Sequence, residues 1–525
     1  MKECEIKISR YNPQVDDRPI LKEYKVPFHD QETVLEALLY IYEEIDSTLF
    51  FNYGCRFRLC GKCAIKINGR PGLACETSLA DGMTLEPLDN FPIIRDLGVD
   101  RSDLIEPIRK HNLLLSPVRE PEIAIQPSEF FQLIRCNECL SCLSTCPVYS
   151  QQVGYDGPFF GVKLAELYYD VRDKGKQLRH LEFFLDKCIQ CKQCDVSCPW
   201  DVNLPQIITK IKGRIYKQKK SSIRDWLISH PPVIGYFISP FFTIFNALLK
   251  KKTIRKMIDQ LVGIDARAPF PEYHPGKFRF PADRKGRVKR KVAYFVGCYN
   301  KFNDPNTSED ALSVLDANGV EVITLDLGCC GMPFLGTGDL ESAEKRAVIV
   351  SAEINRLVLD GYDILFSCPS CGDMIRDEYP ALFHLLEGEE VRGRLHDLGA
   401  YLWQLHQSGE LNTNFREIRR KVGYQVPCHL KAQKIGMPFV NLLGLIPGLE
   451  VRTVFDKCCG MAGTMGFKKE KYELSQKVGD SLMNELKDSK LDLILTDCAS
   501  CQIKIKNDAK INTSHPIRII KEAME

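Results

Sequence analysis

The sequence predicts a multidomain chain in which α+β modules precede an α/β half, and three observations predict it. The 23 cysteines among 525 residues fall into blocks of fixed spacing. One block in the C-terminal half recurs 129 or 130 residues further on. In that half, short apolar runs alternate with helical ones, which is the pattern of a parallel sheet. The length suggests about three or four domains, and 44% hydrophobic with 27% charged residues suits a chain that buries several cores. A net charge of +2 lacks the basic excess of a nucleic-acid-binding surface. The start, MKECEIKISRYNP, is charged and has no apolar secretion stretch. A cytoplasmic setting follows as the expectation, and there thiols stay reduced.

Residues 1–115 open with the strand-like runs CEIKISRYN and LKEYKVPF, followed by a helical TVLEALLYIYEEI. Next comes Cys55-x4-Cys60-x2-Cys63 with Cys75 beyond it. This is the plant-type [2Fe–2S] spacing, in which a loop wraps three thiolates round a cluster and a later segment supplies the fourth. Residues 116–215 carry two copies of another run, Cys136-x2-Cys139-x2-Cys142-x3-Cys146-Pro147 and Cys188-x2-Cys191-x2-Cys194-x3-Cys198-Pro199. Both match the bacterial [4Fe–4S] pattern, whose fourth cysteine serves the other cluster. One cubane is therefore assigned to Cys136, Cys139, Cys142 and Cys198, and the other to Cys146, Cys188, Cys191 and Cys194. GVKLAELYYDVRD and QIITKIKGRIYKQ supply helices for a compact helical domain.

Residues 291–525 hold two five-cysteine sets: Cys298, Cys329, Cys330, Cys368 and Cys371 in 291–420, then Cys428, Cys458, Cys459, Cys498 and Cys501 in 421–525. Each group stands at the end of an apolar run such as KVAYFVGC or LDLILTDCASC, where sites form in open α/β sheets. Consecutive Cα atoms lie about 3.8 Å apart, closer than the roughly 4.4–6.8 Å of a relaxed disulfide, so the vicinal pairs 329–330 and 458–459 read as ligands. Glycines follow both pairs, as Gly331 and Gly460, and suit a tight turn at a cluster. Five soft ligands exceed the needs of one cubane and point to an unusual cluster geometry. Zinc, which takes separated cysteine pairs, explains neither the three-cysteine runs nor the five-cysteine sets, though tetrahedral thiolate chemistry leaves it open for one set. Cys4 is left over and reads as a bystander thiol.

Between these halves, residues 216–290 form a linker that includes an uncharged apolar segment, 231–249. It is long enough to raise a transmembrane reading, but Pro231, Pro232, Gly235, Pro240 and Asn246 argue against a clean spanning helix. A strap packed between domains or against a partner is the first expectation. An interfacial segment flanked by Lys219, Lys220, Arg224 and Lys250–Lys252 is the second. The basic stretch 276–291 reads as a solvated linker. No G-x-G-x-x-G follows a strand, so a flavin or nicotinamide site is expected on another subunit.

The motifs GCRFRLCGKCAIKINGRPGLAC and CNECLSCLSTCP make residues 1–215 resemble the iron–sulfur subunit of succinate dehydrogenases and fumarate reductases. That resemblance implies a β-grasp ferredoxin domain, an FAD-bearing partner subunit and electrons relayed singly along the clusters. Those enzymes typically lack a cysteine at the place of Cys191 and hold a three-iron cluster beside a quinone; its presence here implies four irons and argues against that quinone site. From about residue 224 onward, CCGMAGTMGFKKEKYELS, LTDCASC and WLISHPPVIGYFISP resemble the CCG-domain proteins, among them the B subunit of heterodisulfide reductase and the C subunit of anaerobic glycerol-3-phosphate dehydrogenase. This second resemblance implies a duplicated α/β CCG domain with a noncubane [4Fe–4S] cluster in each repeat. The fusion is similar to the B subunit of thiol:fumarate reductases. The expected activity is that of an oxidoreductase subunit relaying electrons between a flavoprotein and a CCG redox site that meets a thiol/disulfide or a quinone. The alternative is a component of an anaerobic glycerol-3-phosphate or 2-hydroxy-acid dehydrogenase that delivers electrons to menaquinone, in contact with the inner face of the cell membrane.

Overall fold

The structure is a computed structural model that describes residues 2–28, 31–117, 125–175, 178–218, 222–277 and 290–525. Lys219, Lys220 and most of the basic stretch 276–291 lie outside the described residues. The chain divides into two compact units, Met1–Ile208 and Thr209–Glu525.

The first unit begins with β1 (Lys2–Arg10) and β2 (Ile20–Phe28), an antiparallel pair whose alternate residues Ile6, Ile8, Tyr24 and Val26 are buried. With β3 (Ala64–Ile67), β4 (Arg70–Leu73) and β5 (Met83–Glu86) they form a five-stranded sheet in the order β2-β1-β5-β3-β4. The β1–β5 pair is parallel, and β3 runs antiparallel to both its neighbours. The helix Val34–Tyr40 starts at a capping box between Thr33 and Glu36 and buries Val34, Leu35, Ala37 and Leu38. A π-turn, Ile41–Ile45, completes the helical stretch expected from the sequence. A further antiparallel pair, β6 (Ile93–Arg95) and β7 (Gly98–Val99), follows. Arg10 ties these parts together, reaching Asp46 at 2.6 Å and Asp96 at 3.0 Å.

Beyond residue 125 the first unit is helical, built from Ser128–Leu133, Ser141–Ser144, Gly157–Tyr169, Leu178–Lys187 and Gln193–Val196. Cys139, Leu140, Leu143 and Phe159 from this part share one apolar core with Ile6, Leu38 and Ile65 of the sheet. That shared core explains why two expected modules form one compact unit.

The second unit contains two parallel sheets of matching order. The first comprises β8 (Arg290–Phe295), β9 (Val320–Leu325), β10 (Asp363–Phe366) and β11 (Leu395–Asp397), ordered β11-β10-β8-β9. The second comprises β12 (Arg420–Gln425), β13 (Leu449–Val454), β14 (Leu493–Leu495) and β15 (Thr513–Ser514), ordered β13-β12-β14-β15. Every pairing within them is parallel. Long helices such as Leu340–Leu359 and Tyr472–Asp488 make the crossovers. One core joins the two repeats, with Leu398, Tyr401 and Leu402 in the same cluster as Phe439, Leu442 and Leu443.

The apolar segment is helical but interrupted. Pro231–Ile238 and Phe242–Leu249 are α-helices, separated by the 3₁₀ turn Ser239–Phe241 at Pro240. Only 11% of its apolar window is buried, and Phe237 is 76% exposed. It is anchored from beside and from within: Arg224, just before it, pairs with Glu470 at 2.8 Å, and the side chain of its own Asn246 donates to the Tyr273 carbonyl at 2.8 Å. The segment is thus held on its unit with Tyr236, Phe237, Phe241, Ile244 and Phe245 exposed and most of its other apolar side chains half-buried.

Candidate iron–sulfur centres

The [2Fe–2S]-type loop lies between the helical turn and β3, and it closes on its own sulfurs. The amide of Cys55 donates to Cys60 Sγ, the amides of Phe57 and Cys60 donate to Cys55 Sγ, and the Arg58 amide donates to Cys75 Sγ, each at 3.3 Å. Left-handed conformations at Arg56, Arg58 and Gly61 aim these amides inward. The Phe57 N–H above all, with the Cys60 N–H, holds the Cys55 thiol down to about 7. Burial pushes Cys63 up to about 12. Cys55, Cys60, Cys63 and Cys75 are therefore brought together, some donated amides and some buried.

The two cubane-type runs have the same local geometry. Glu138 and Leu140 in one, and Gln190 and Lys192 in the other, occupy the left-handed region at equal offsets from the first cysteine. A four-residue helix follows each time. Such conformations cost about 1–3 kcal/mol apiece and persist where surrounding structure dictates them. The runs also exchange their last cysteines. Cys198 lies beside Cys136, Cys139 and Cys142, while Cys146 faces Cys188, which stands with Cys191 and Cys194. A cavity walled by Cys136, Cys139, Cys142, Cys198, Pro158 and Phe159 lies at the first group. Burial pushes the Cys136 thiol up to about 11 and the Cys146 thiol to about 12, with Cys142 and Cys194 also well above the usual value. Thiols so buried and so near one another can ionise only against a positive charge at their centre, which is what iron supplies to a thiolate cage.

In the second unit all three cysteine groups of each repeat follow the carboxyl ends of the first three strands: Cys298, Cys329–Cys330 and Cys368 follow β8, β9 and β10, and Cys428, Cys458–Cys459 and Cys498 follow β12, β13 and β14. The first set converges, with Cys298 beside Cys329, Cys330 beside Cys371, and Cys371 beside Cys368. In the second set, Cys428 and Cys458 sulfurs are 4.0 Å apart and Cys459 and Cys501 sulfurs 3.1 Å, with Cys498 beside Cys501. Gly331 and Gly460 amides donate to Cys329 and Cys458 at 3.3 and 3.4 Å, the same bond in each repeat. Cys371 holds the Cys368 thiol down to about 7, and Cys458 with Cys501 holds Cys459 down to about 5. None of the cysteines is joined in a disulfide. Cys4 is a core residue of β1, apart from these sets in role.

Among the described residues no three His, Cys, Asp or Glu side chains converge on a position for a single ion. A polynuclear cluster does not ask for one, because its irons are spread over a larger volume and the thiolates bind at its edge. The geometry also reveals residues that cysteine spacing does not point to. Arg101 reaches the carbonyls of Gly61 and Lys62 in the [2Fe–2S]-type loop. Arg346 Nε donates to the Cys329 carbonyl at 2.7 Å, and the Tyr379 hydroxyl donates to the Cys330 carbonyl at 2.7 Å. His429 bonds Ser370 of the other repeat at 2.8 Å.

Comparison with known proteins agrees with this division. Residues 5–106 match the 2Fe-2S iron-sulfur cluster binding domain, 132–202 the 4Fe-4S dicluster domain, and 292–376 and 422–506 each match the cysteine-rich CCG domain. An iron–sulfur protein of Methanocaldococcus jannaschii is 30% identical over 515 residues, covering 96% of this chain and 94% of that one. The chain belongs to this family of iron–sulfur electron-transfer subunits. The B subunit of the fumarate reductase (CoM/CoB) of Methanothermobacter marburgensis is 28% identical over 517 residues, covering 96% of this protein and 94% of that one. The C subunit of the anaerobic glycerol-3-phosphate dehydrogenase of Escherichia coli is 31% identical over 400 residues, 74% of this protein and 98% of that one. The last two relatives are oxidoreductase subunits, and the iron–sulfur domains of this protein stand in the order 2Fe-2S, 4Fe-4S, CCG.

Proposed function

We propose that this protein carries one [2Fe–2S] cluster on Cys55, Cys60, Cys63 and Cys75, two cubanes on the crossed sets, and a noncubane [4Fe–4S] cluster on each five-cysteine set. It would serve a fumarate reductase or succinate dehydrogenase type of complex, docked on an FAD-containing flavoprotein. The observation that carries the reading is the exchange of Cys146 and Cys198 between the two runs, which a pair of independent zinc sites would not require. The functional modules are 1–115, of β-grasp type; 116–215; the linker 216–290; and the duplicated α/β CCG repeats 291–420 and 421–525.

Clusters of this kind, when bound, accept and release one electron at a time. The chain's own part is placement. Gly61 lies against the backbone of the first cubane loop: a Cβ there would stand 2.6 Å from the Asn137 carbonyl oxygen and 2.8 Å from the Cys139 amide nitrogen. Asn137 and Trp200 both donate to the Arg58 carbonyl, at 3.0 and 3.3 Å. The first two centres are thereby held loop to loop, with Phe159 and Pro158 keeping water from the second.

The deciding experiment is anaerobic purification with the flavoprotein, metal analysis, and dye-linked assays with fumarate, succinate and glycerol 3-phosphate. About eighteen iron per chain is expected, with turnover on fumarate or succinate. About ten iron with zinc making up the rest would remove the clusters from the CCG half. Turnover on glycerol 3-phosphate alone would favour the alternative, to which the C-terminal likeness and the uncovered segment 231–249 lend support.

We place the [2Fe–2S] centre nearest the flavin, because its module resembles the one that docks on the flavoprotein, and replacing Cys60 by Ala removes one thiolate from it. Dye reduction at the flavin is expected to survive, while reduction of the cubanes by the flavin substrate slows at least about a hundredfold. Cubanes reducing at the wild-type rate would show the order to be wrong.

For location, we infer a cytoplasmic protein that meets the inner face of the membrane peripherally. Tyr236, Phe237, Phe241 and Ile244 are exposed on the apolar segment, and Lys250–Lys252 follow it, which is the make-up of a segment lying in an anionic interface. The intact protein should float with vesicles containing anionic lipid and release at high salt, and Phe237→Ser with Phe241→Ser should weaken flotation severalfold. Equal recovery of wild type and double variant would assign these side chains to another partner.

A further inference from the structure

Arg101 is a charge without a counter-charge. It sits half-buried just beyond β7, and its Nε is shut from solvent with no acceptor. Its remaining contacts are two long ones, Nη1 to the Gly61 carbonyl at 3.5 Å and Nη2 to the Lys62 carbonyl at 3.4 Å. The neighbouring acid Asp100 does not serve it, being turned to the Ser102 amide at 2.9 Å. No carboxylate is ion-paired with it among the described residues. The two carbonyls it reaches stand between Cys60 and Cys63, and Gly61 packs against the backbone of Cys139, so these three thiols are the negative charge it feels.

A buried guanidinium is unfavourable unless an anion answers it. Here the candidates are thiolates from two different ligand sets: Cys60 and Cys63 belong to the [2Fe–2S] set, and Cys139 to the first cubane set. We propose that Arg101 is a positioning residue shared by these two centres, its fixed positive charge favouring the reduced state of both. The inference rests on the cluster assignment above.

The physical chain is short. Each reduction adds one electron, and so one negative charge, to a centre surrounded by thiolates and low-dielectric packing. A cation beside it lowers the free energy of the reduced form, and the effect is large where water cannot screen it. Placed between two centres, the same cation also offsets the repulsion that an electron on one exerts on an electron arriving at the other. Lys in place of Arg retains the charge only while protonated, and a buried Lys loses its proton far more readily than Arg.

The test is a redox titration of the intact protein followed by electron paramagnetic resonance, with dithionite as the electron donor and iron content measured on each sample. Wild-type protein lacking the [2Fe–2S] or first cubane signal would overturn the cluster assignment itself, a failure separate from the one sought. With those signals present, Arg101→Gln is expected to shift the reduction equilibrium of both centres at least tenfold toward the oxidised form, 59 mV for one electron, while the second cubane stays put. Arg101→Lys is expected to match wild type at neutral pH and to lose potential at both centres as pH rises, with wild type flat over the same range. If the Gln variant does not assemble, the Lys variant decides. Loaded Gln protein with unchanged potentials, a shift confined to one centre, or Lys potentials independent of pH would each overturn the proposal.

Discussion

Cys459→Ser is expected to lose the second CCG cluster, about four iron per chain, while the [2Fe–2S] and cubane signals of the first unit remain. Its sulfur lies 3.1 Å from that of Cys501, and Cys458 and Cys501 together hold its thiol down to about 5. Its thiol is thus held toward the thiolate form, whereas those of Cys428 and Cys501 are pushed up. Serine offers a hard hydroxyl in place of a soft sulfur. It also leaves a polar group in a site 5% exposed, at a cost of about 1–3 kcal/mol when unpaired. Electron transfer from the flavoprotein to the terminal acceptor should fall at least about a hundredfold. Cys458→Ser should behave alike, since its sulfur receives the Gly460 amide and faces Cys428. Full iron and full turnover in Cys459→Ser would make the vicinal pair structural.

The spacing of the cysteines announced much of this architecture because metal ligation constrains sequence directly. A thiolate must reach iron from a loop of fixed length, so x4, x2 and x3 intervals survive as text. The strands were legible for a similar reason: KVAYFVGC and LDLILTDCASC are apolar runs that end where a parallel strand hands its chain to a site, and β8 and β14 do so. The cover of residues 231–249 was not legible. Length and apolarity do not reveal whether a neighbour packs over a segment, and here most of Phe237 stays in solvent. Arg101 was equally hidden, because GVDRSD has no periodicity and only the fold brings the side chain to the Gly61 loop.

The repeat itself reads as more equal than it is. Tyr294 and Tyr424 occupy matching places, but the first bonds Ser367 at 2.7 Å and the second bonds the buried carboxyl of Asp497. Burial pushes Asp497 well above the usual carboxylate range. The two helices differ in the same way. Ala343 of the first and Ser475 of the second present their carbonyls to Gly331 and Gly460. One turn on, the first has Arg346 bonded to the Cys329 carbonyl, and the second has the buried, uncharged Val478. Two ligand sets that match to within one residue in spacing therefore enclose two different electrostatic settings.

Gly460→Ala is expected to be as damaging as removal of a ligand, though it touches no sulfur. Its φ is +81°, and a Cβ there would stand 2.1 Å from the Ser475 carbonyl oxygen and 2.8 Å from the Gly479 amide nitrogen. Both are backbone atoms of the helix Tyr472–Asp488, so no side chain can swing aside. Gly479 returns the contact, since its own Cβ would lie 2.7 Å from the Cys459 carbonyl oxygen. The helix must move off the vicinal loop, taking with it the packing of Val478, Leu482 and Met483. Loss of the second cluster and a destabilisation of more than about 4 kcal/mol follow. Gly463→Ala is the control: its φ is +62° with nothing within 4 Å. It should cost only about 1–2 kcal/mol of left-handed backbone and keep its iron. Gly331→Ala should fall between, because there the nearest atom is the flexible end of Met374 at 3.4 Å. Iron content and the anaerobic thermal midpoint of the three variants rank them. Gly460→Ala protein with full iron and a midpoint no lower than that of Gly463→Ala would show that this helix does not fix the vicinal cysteines.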